Sequence, residues 1–165
     1  MPPKCRGCHC STCCSILDMK LKVSNKIFFS QVEQLITQGE TVTIAIKGNS
    51  MRPWLRDGQE KVILKAHTAE NIKIGEIALF RHKGRHILHR IININGNNIT
   101  FAGDGNIGIY EYGTMQDIIA VVKCIITPKG RIIECDSRIW RVKNRLWLAM
   151  PLIVRRVILG IARRL

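Results

Sequence analysis

The chain has 165 residues, is 46% hydrophobic, and carries 26 Lys and Arg against 12 Asp and Glu, a net charge of +14. That length and apolar content suit one domain with its own core and exclude a disordered chain. The charge predicts attraction to an anionic surface, and an aromatic content of 5% argues against a stacking platform for single-stranded nucleic acid.

Five of the seven cysteines, Cys5, Cys8, Cys10, Cys13 and Cys14, crowd the first fourteen residues. This is not the even spread of a secreted disulfide framework. The pairs Cys5-x-x-Cys8 and Cys10-x-x-Cys13 have metal-ligand spacing. Structural zinc, however, usually joins two such knuckles across a longer loop, and here they nearly touch. No metal or cofactor is expected. No signal peptide is expected either, because the segment lacks an apolar run. Met19 opens Met19-Lys20-Leu21-Lys22-Val23, which reads as a natural start. Residues 1–18 are therefore read as an over-extended start or a poorly ordered tail.

Ser24-Asn25 suits a helix start, Phe28, Val32, Leu35 and Ile36 share one helical face, and Gly39 suits the stop. The spacing predicts a helix over 26–38. A strand over 41–46 then runs into Lys47-Gly48-Asn49-Ser50-Met51-Arg52-Pro53. Gly48 permits backbone angles that other residues resist, and Pro53 stops the strand. The result is a tight turn that holds the Ser50 hydroxyl in the open.

Further strands are predicted over 60–65, 75–81, 86–94, 98–101, 118–126 and 131–133. A turn falls at 82–85, and Asn95-Gly96 marks a hairpin. Many short strands after one helix indicate a mostly β, sandwich- or barrel-like domain over 19–137. From Arg138 onward apolar residues recur at steps of three and four, arginines recur with them, and no acid follows Asp136. Residues 146–162 are too short to span a bilayer comfortably. They also carry Pro151 and the adjacent pair Arg155-Arg156, each arginine costing about 2.5–3.5 kcal/mol at a bilayer centre. Residues 138–165 are expected to form a basic amphipathic helix on an anionic membrane surface, with Trp140 and Trp147 at headgroup level. The competing expectation is a helix docked on the β domain or a partner.

A turn serine is most often structural. As a nucleophile, Ser50 needs a base and oxyanion donors. His89, on the long strand, is the best-placed base. Asp104, in Phe101-Ala102-Gly103-Asp104-Gly105-Asn106, is the first carboxylate that could orient it.

The order of these segments resembles type I signal peptidases of the LexA/signal-peptidase-like superfamily. Gly48-Asn49-Ser50-Met51-Arg52-Pro53 resembles their Ser-Gly-Ser-Met-x-Pro box, and Arg56-Asp57-Gly58 the segment after it. Ile74 to Phe80 resembles their Gly-Asp/Glu-Ile-Val-Val-Phe strand. Leu88-His89-Arg90-Ile91-Ile92 matches the His-Arg-Val box of the archaeal and endoplasmic-reticulum type, and 101–106 the Lys-Gly-Asp-Asn box. Asp117 to Val122 resembles the closing segment. The resemblance covers about residues 41–135.

It implies a coiled β domain and a serine endopeptidase cutting extended precursor chains after small residues. Ser50 would be the nucleophile and His89 the base. The Ser50 N–H with Gly48 or Asn49 would hold the oxyanion. Two departures stand out. Gly48-Asn49 replaces the usual Ser-Gly, and the acids that follow the Gly-Asp box reduce to Glu111. The third member is thus Asp104 or Glu111, and the alternative reading is an inactive peptidase-fold binding module.

A LexA-type self-cleaving repressor would need a lysine base. Lys83 lies in a turn six residues from His89, and residues 20–40 are too short for a helix-turn-helix. No specific nucleic acid is expected. The protein is expected to be peripheral on a membrane and otherwise cytoplasmic, with no spanning helix.

Overall fold

The computed structural model describes residues 25–162. The cysteine pairs at 5–13 and the helix cap expected at Ser24 lie outside the described residues.

Helix α1 (Asn25–Thr37) presents Val32 and Ile36 to the core, with Phe28 and Phe29 against it. Leu35, expected on the same face, is exposed. Eight strands follow: β1 (Val42–Ala45), β2 (Lys61–Lys65), β3 (Ile77–His82), β4 (Arg85–Asn95), β5 (Asn98–Ala102), β6 (Glu111–Thr114), β7 (Ile118–Ile126) and β8 (Ile132–Glu134). All pairings are antiparallel, in the order β1-β2-β7-β3-β4-β5-β6, with β8 on β7. The mostly β class expected from the sequence holds. The expected strands are present within one or two residues at each end, and β6 is an additional one.

The sheet buries apolar side chains on both faces. Ile77 and Leu79 of β3 enter one cluster with Leu55, Leu64 and Ile125. The alternate residues Ala78 and Phe80 enter the other, with Ile91, Ile99 and Phe101. Successive residues of a strand face opposite ways, so a central strand buried on both sides reads as an unbroken apolar run. Both tight hairpins have two-residue loops. At Lys83-Gly84 both residues have positive φ, as a type I′ turn requires. At the second hairpin Asn95 pairs with Asn98, so the loop is Gly96-Asn97, one residue later than Asn95-Gly96. Glycine there takes φ +58° at the first loop position.

The tail is two helices, α2 (Arg138–Ala149) and α3 (Leu152–Ala162), broken at Met150-Pro151. Proline cannot donate the helical N–H and restricts the residue before it. The Ser137 hydroxyl caps α2 by accepting from Trp140 N. Trp140, Asn144 and Trp147 recur at helical spacing and are buried. The two tryptophans pack edge-on against Trp54, beside the Ser50 turn. The expectation of Trp140 and Trp147 at headgroup level is therefore corrected: these rings are spent on the domain's own core. No described helix is long and apolar enough to cross a membrane.

Candidate active site

The Ser50 turn follows β1 and is pinned from both ends. Ile46 N donates to Glu60 O, and Gly58 N returns to Ile46 O. Met51 and Leu55 are buried in the core. Gly48 takes φ +92°, a left-handed value that L side chains resist, and its N–H donates to Asp57 Oδ1 at 2.8 Å. Gly48 is therefore not free as an oxyanion donor, which corrects that expectation. Among the described residues, the backbone N–H groups of Asn49 and Ser50 donate to no protein acceptor. The Asn49 side-chain oxygen accepts from Arg52 Nε at 2.9 Å.

His89 sits on β4 opposite Ala78 and is 3% exposed. Its Nδ1 lies 2.8 Å from Glu111 Oε2. The sheet register explains the meeting. Ile91, Phe101 and Glu111 form one rung across β4, β5 and β6, so their side chains share a face. His89 is two residues from Ile91 and shares that face too. With the proton on Nδ1 donated to Glu111, Nε2 is left as the acceptor, the state a general base needs.

Nε2 is aimed toward the Ser50 backbone. A Cβ placed on Gly103 would lie 2.6 Å from Ser50 O and 2.9 Å from His89 Nε2. The serine segment and the free imidazole nitrogen thus face each other across a residue with no side chain. Gly105 N donates to Ser50 O at 2.8 Å, and a Cβ on Gly105 would lie 2.6 Å from Asn49 O. Both glycines are required for space rather than for backbone angle. Among the described residues no hydrogen bond engages the Ser50 hydroxyl.

Asp104 has a different partner from the one expected. Its carboxylate takes three contacts from Arg90: Nε at 2.9 and 3.1 Å and Nη2 at 2.6 Å. It also accepts from Trp147 Nε1 at 2.9 Å. Arg90 Nη1 donates to Gly75 O at 2.7 Å and Asn144 Oδ1 at 2.8 Å. Arg90 is adjacent to His89 and so faces the other way, and it takes Asp104 with it. The expectation that Asp104 orients His89 is corrected: Asp104 closes a buried charge pair, and the carboxylate on His89 is Glu111. Lys83, at the β3–β4 hairpin tip, is exposed. No group of three or more potential metal ligands exists among the described residues.

The Ser50 turn also meets the tail. Arg52 Nη1 donates to Ala162 O at 2.9 Å, placing a cation at the negative end of α3. A cleft of about 430 Å³ lies between residues 105–109 and α3 at Arg156, Leu159 and Gly160.

No curated protein sequence matches the chain. The model of the family described as Peptidase S24-like matches residues 7–106, more than half of the chain. That span holds Ser50, His89 and the 103–105 glycine pair, and ends short of Glu111. A mostly β domain with this match places the chain in the Peptidase S24-like family.

Proposed function

We propose that the chain is a serine endopeptidase of signal-peptidase type, with Ser50 as nucleophile, His89 as general base and Glu111 as the carboxylate that orients it. The observation that carries the reading is the part-buried His89–Glu111 contact, which aims the second imidazole nitrogen at the segment holding the serine. Ser50 Oγ attacks the scissile carbonyl while His89 Nε2 takes its proton. The tetrahedral intermediate collapses as Nε2 returns that proton to the leaving amine. Water then hydrolyses the acyl-enzyme by the same route in reverse. The unengaged N–H groups of Asn49 and Ser50 are the candidate oxyanion donors.

The substrate is an extended precursor chain cut after a small residue, held by main-chain pairing. The turn at Ser50 is anchored by its hydrogen bonds and by buried Met51 and Leu55, and the hydroxyl is unengaged, as an unliganded site allows. The test is cleavage of small-residue precursor peptides. Ser50→Ala and His89→Ala each abolish cutting in folded protein, and Glu111→Gln lowers kcat roughly 10²–10⁴-fold.

A second reading, an inactive peptidase-fold binding module, is favoured by one observation. No Ser50–His89 hydrogen bond forms among the described residues, and Gly48, where the family offers a side-chain hydroxyl, spends its N–H on Asp57. Folded wild-type protein that binds such peptides and cuts none, with Ser50→Ala binding equally, decides for the module.

A further inference from the structure

We infer that the outer faces of α2 and α3 form a docking surface for an anionic lipid membrane. Each helix turns one side to the domain and leaves a second, aliphatic side exposed. On α2 the inward stripe is Trp140, Asn144 and Trp147. On the opposite side of the same helix, Ile139, Val142 and Leu146 recur at steps of three and four and stand exposed, Ile139 at 72%. On α3 the inward residue is Leu159. Opposite it lie Ile153, Val157 and Ile161, exposed at four-residue steps, with Ile153 at 74%. A monomer rarely leaves so many large aliphatic side chains on two adjoining helices in water.

Charge identifies the occupant. Arg138 and Arg145 border the outer stripe of α2 on one side, with Arg141 beyond them, and Lys143 borders it on the other. All four are exposed. Arg156 is exposed on α3, and no Asp or Glu follows Asp136. A second copy docked face to face would press these cationic borders against each other, which self-complementary interfaces avoid. Nucleic acid would meet the cations and leave the aliphatic stripe wet. An interfacial lipid surface satisfies both, since headgroup phosphates meet the arginines while the stripe enters the acyl boundary.

Arg155 marks the division between the two faces. Although it is adjacent to Arg156, it turns inward, donates to Leu148 O and lies 5.5 Å over the Trp147 ring. One of the two central arginines is therefore removed from the membrane side and used to tie α3 to α2. The surface also lies close to the Ser50 turn through the Arg52–Ala162 contact. The inference does not depend on catalysis.

The test is flotation of the full-length chain with phosphatidylglycerol–phosphatidylcholine vesicles, because truncation would strip the Arg90–Asp104 pair of Trp147 and Asn144. Wild type floats with the anionic vesicles and at least about tenfold less with phosphatidylcholine alone. Val142→Asp with Val157→Asp lowers binding about tenfold or more while circular dichroism and the melting curve stay as in wild type. Arg138→Ser with Arg145→Ser, which leaves the apolar stripe intact, lowers binding at low salt, and the deficit shrinks as salt is added. Ser50→Ala floats like wild type. Absence of wild-type flotation, or equal flotation of the folded aspartate variant, overturns the inference. So does a dimer in sedimentation that the aspartate variant disperses without any vesicle binding, which would give the face to a second copy.

Discussion

Replacing Asp104 by Asn tests whether this carboxylate belongs to the fold or to the chemistry. Asp104 is 7% exposed, and Arg90 is fully buried. Three Arg90 contacts of 2.6 to 3.1 Å and the Trp147 indole at 2.9 Å converge on its two oxygens. The amide keeps the shape and loses the charge. It also turns one acceptor into a donor that faces a guanidinium or an indole N–H. An Arg90 left without its counter-charge in the core corresponds to a cost of about 3–5 kcal/mol. Solvent does little to soften this, because Arg90 is fully buried and Asp104 nearly so. Against a domain stability of about 5–15 kcal/mol this is a large fraction, with Tm lower by roughly 6–20 °C.

The assay is urea unfolding read by tryptophan fluorescence, with peptide cleavage measured below the new midpoint. There the variant retains kcat within about tenfold of wild type, since His89 holds Glu111 and not Asp104. A variant within about 1 kcal/mol of wild type, yet slower by the 10²–10⁴-fold expected of a group orienting the base, would refute this division of labour.

Gly103→Ala tests the close approach at the site. The added Cβ meets Ser50 O at 2.6 Å and His89 Nε2 at 2.9 Å. Something must shift, at a cost of about 1–3 kcal/mol, so both cleavage and the unfolding free energy fall; unchanged activity and stability would show that the serine turn is not held against His89. Glu76 gives a pH signature. Its burial pushes the carboxyl above its ordinary range, only partly offset by the bond from Lys73 N and by nearby lysines. The folded chain thus holds that proton to a higher pH than the unfolded chain does, so stability is lost as pH rises through the carboxylate range. Glu76→Gln gains Tm relative to wild type between pH 4 and pH 7. A difference that is constant with pH, or larger at pH 4, contradicts the sign.

Period and composition made much of the sheet readable. The alternation along residues 86–94 places β4 within one residue at each end, and the apolar run 118–126 is β7 without adjustment. Ser50 and His89 stand together as candidates because their segments follow a family order. The third carboxylate was left open between Asp104 and Glu111. Residues 111–114 read Glu-Tyr-Gly-Thr, with no apolar alternation to announce a strand. Only the pairing of Phe101 with Glu111 brings that acid onto the His89 face. Asp104 looked better placed because it follows Gly103, but alternation along β4 sends Arg90 and its partner to the opposite side. The tail posed another ambiguity. Apolar residues recur on two sides of the same helix, and helical spacing cannot say which side docks. The tryptophans fill the larger volume beside Trp54, so the aliphatic stripe is the one left outside.

The bond from Arg52 to the Ala162 carbonyl joins residues 110 positions apart, and Trp147 reaches Asp104 across 43. Synthesis runs from the amino terminus, so the serine turn exists long before the helix that steadies it. A nascent chain that has made every strand still lacks the indole on Asp104, the Asn144 amide on Arg90 and the last carbonyl on Arg52. The turn that carries Ser50 and the strand that carries His89 are translated early, while the helices that brace them come last. A chain still on the ribosome therefore holds the Arg90–Asp104 pair without its two tail partners until α2 has emerged.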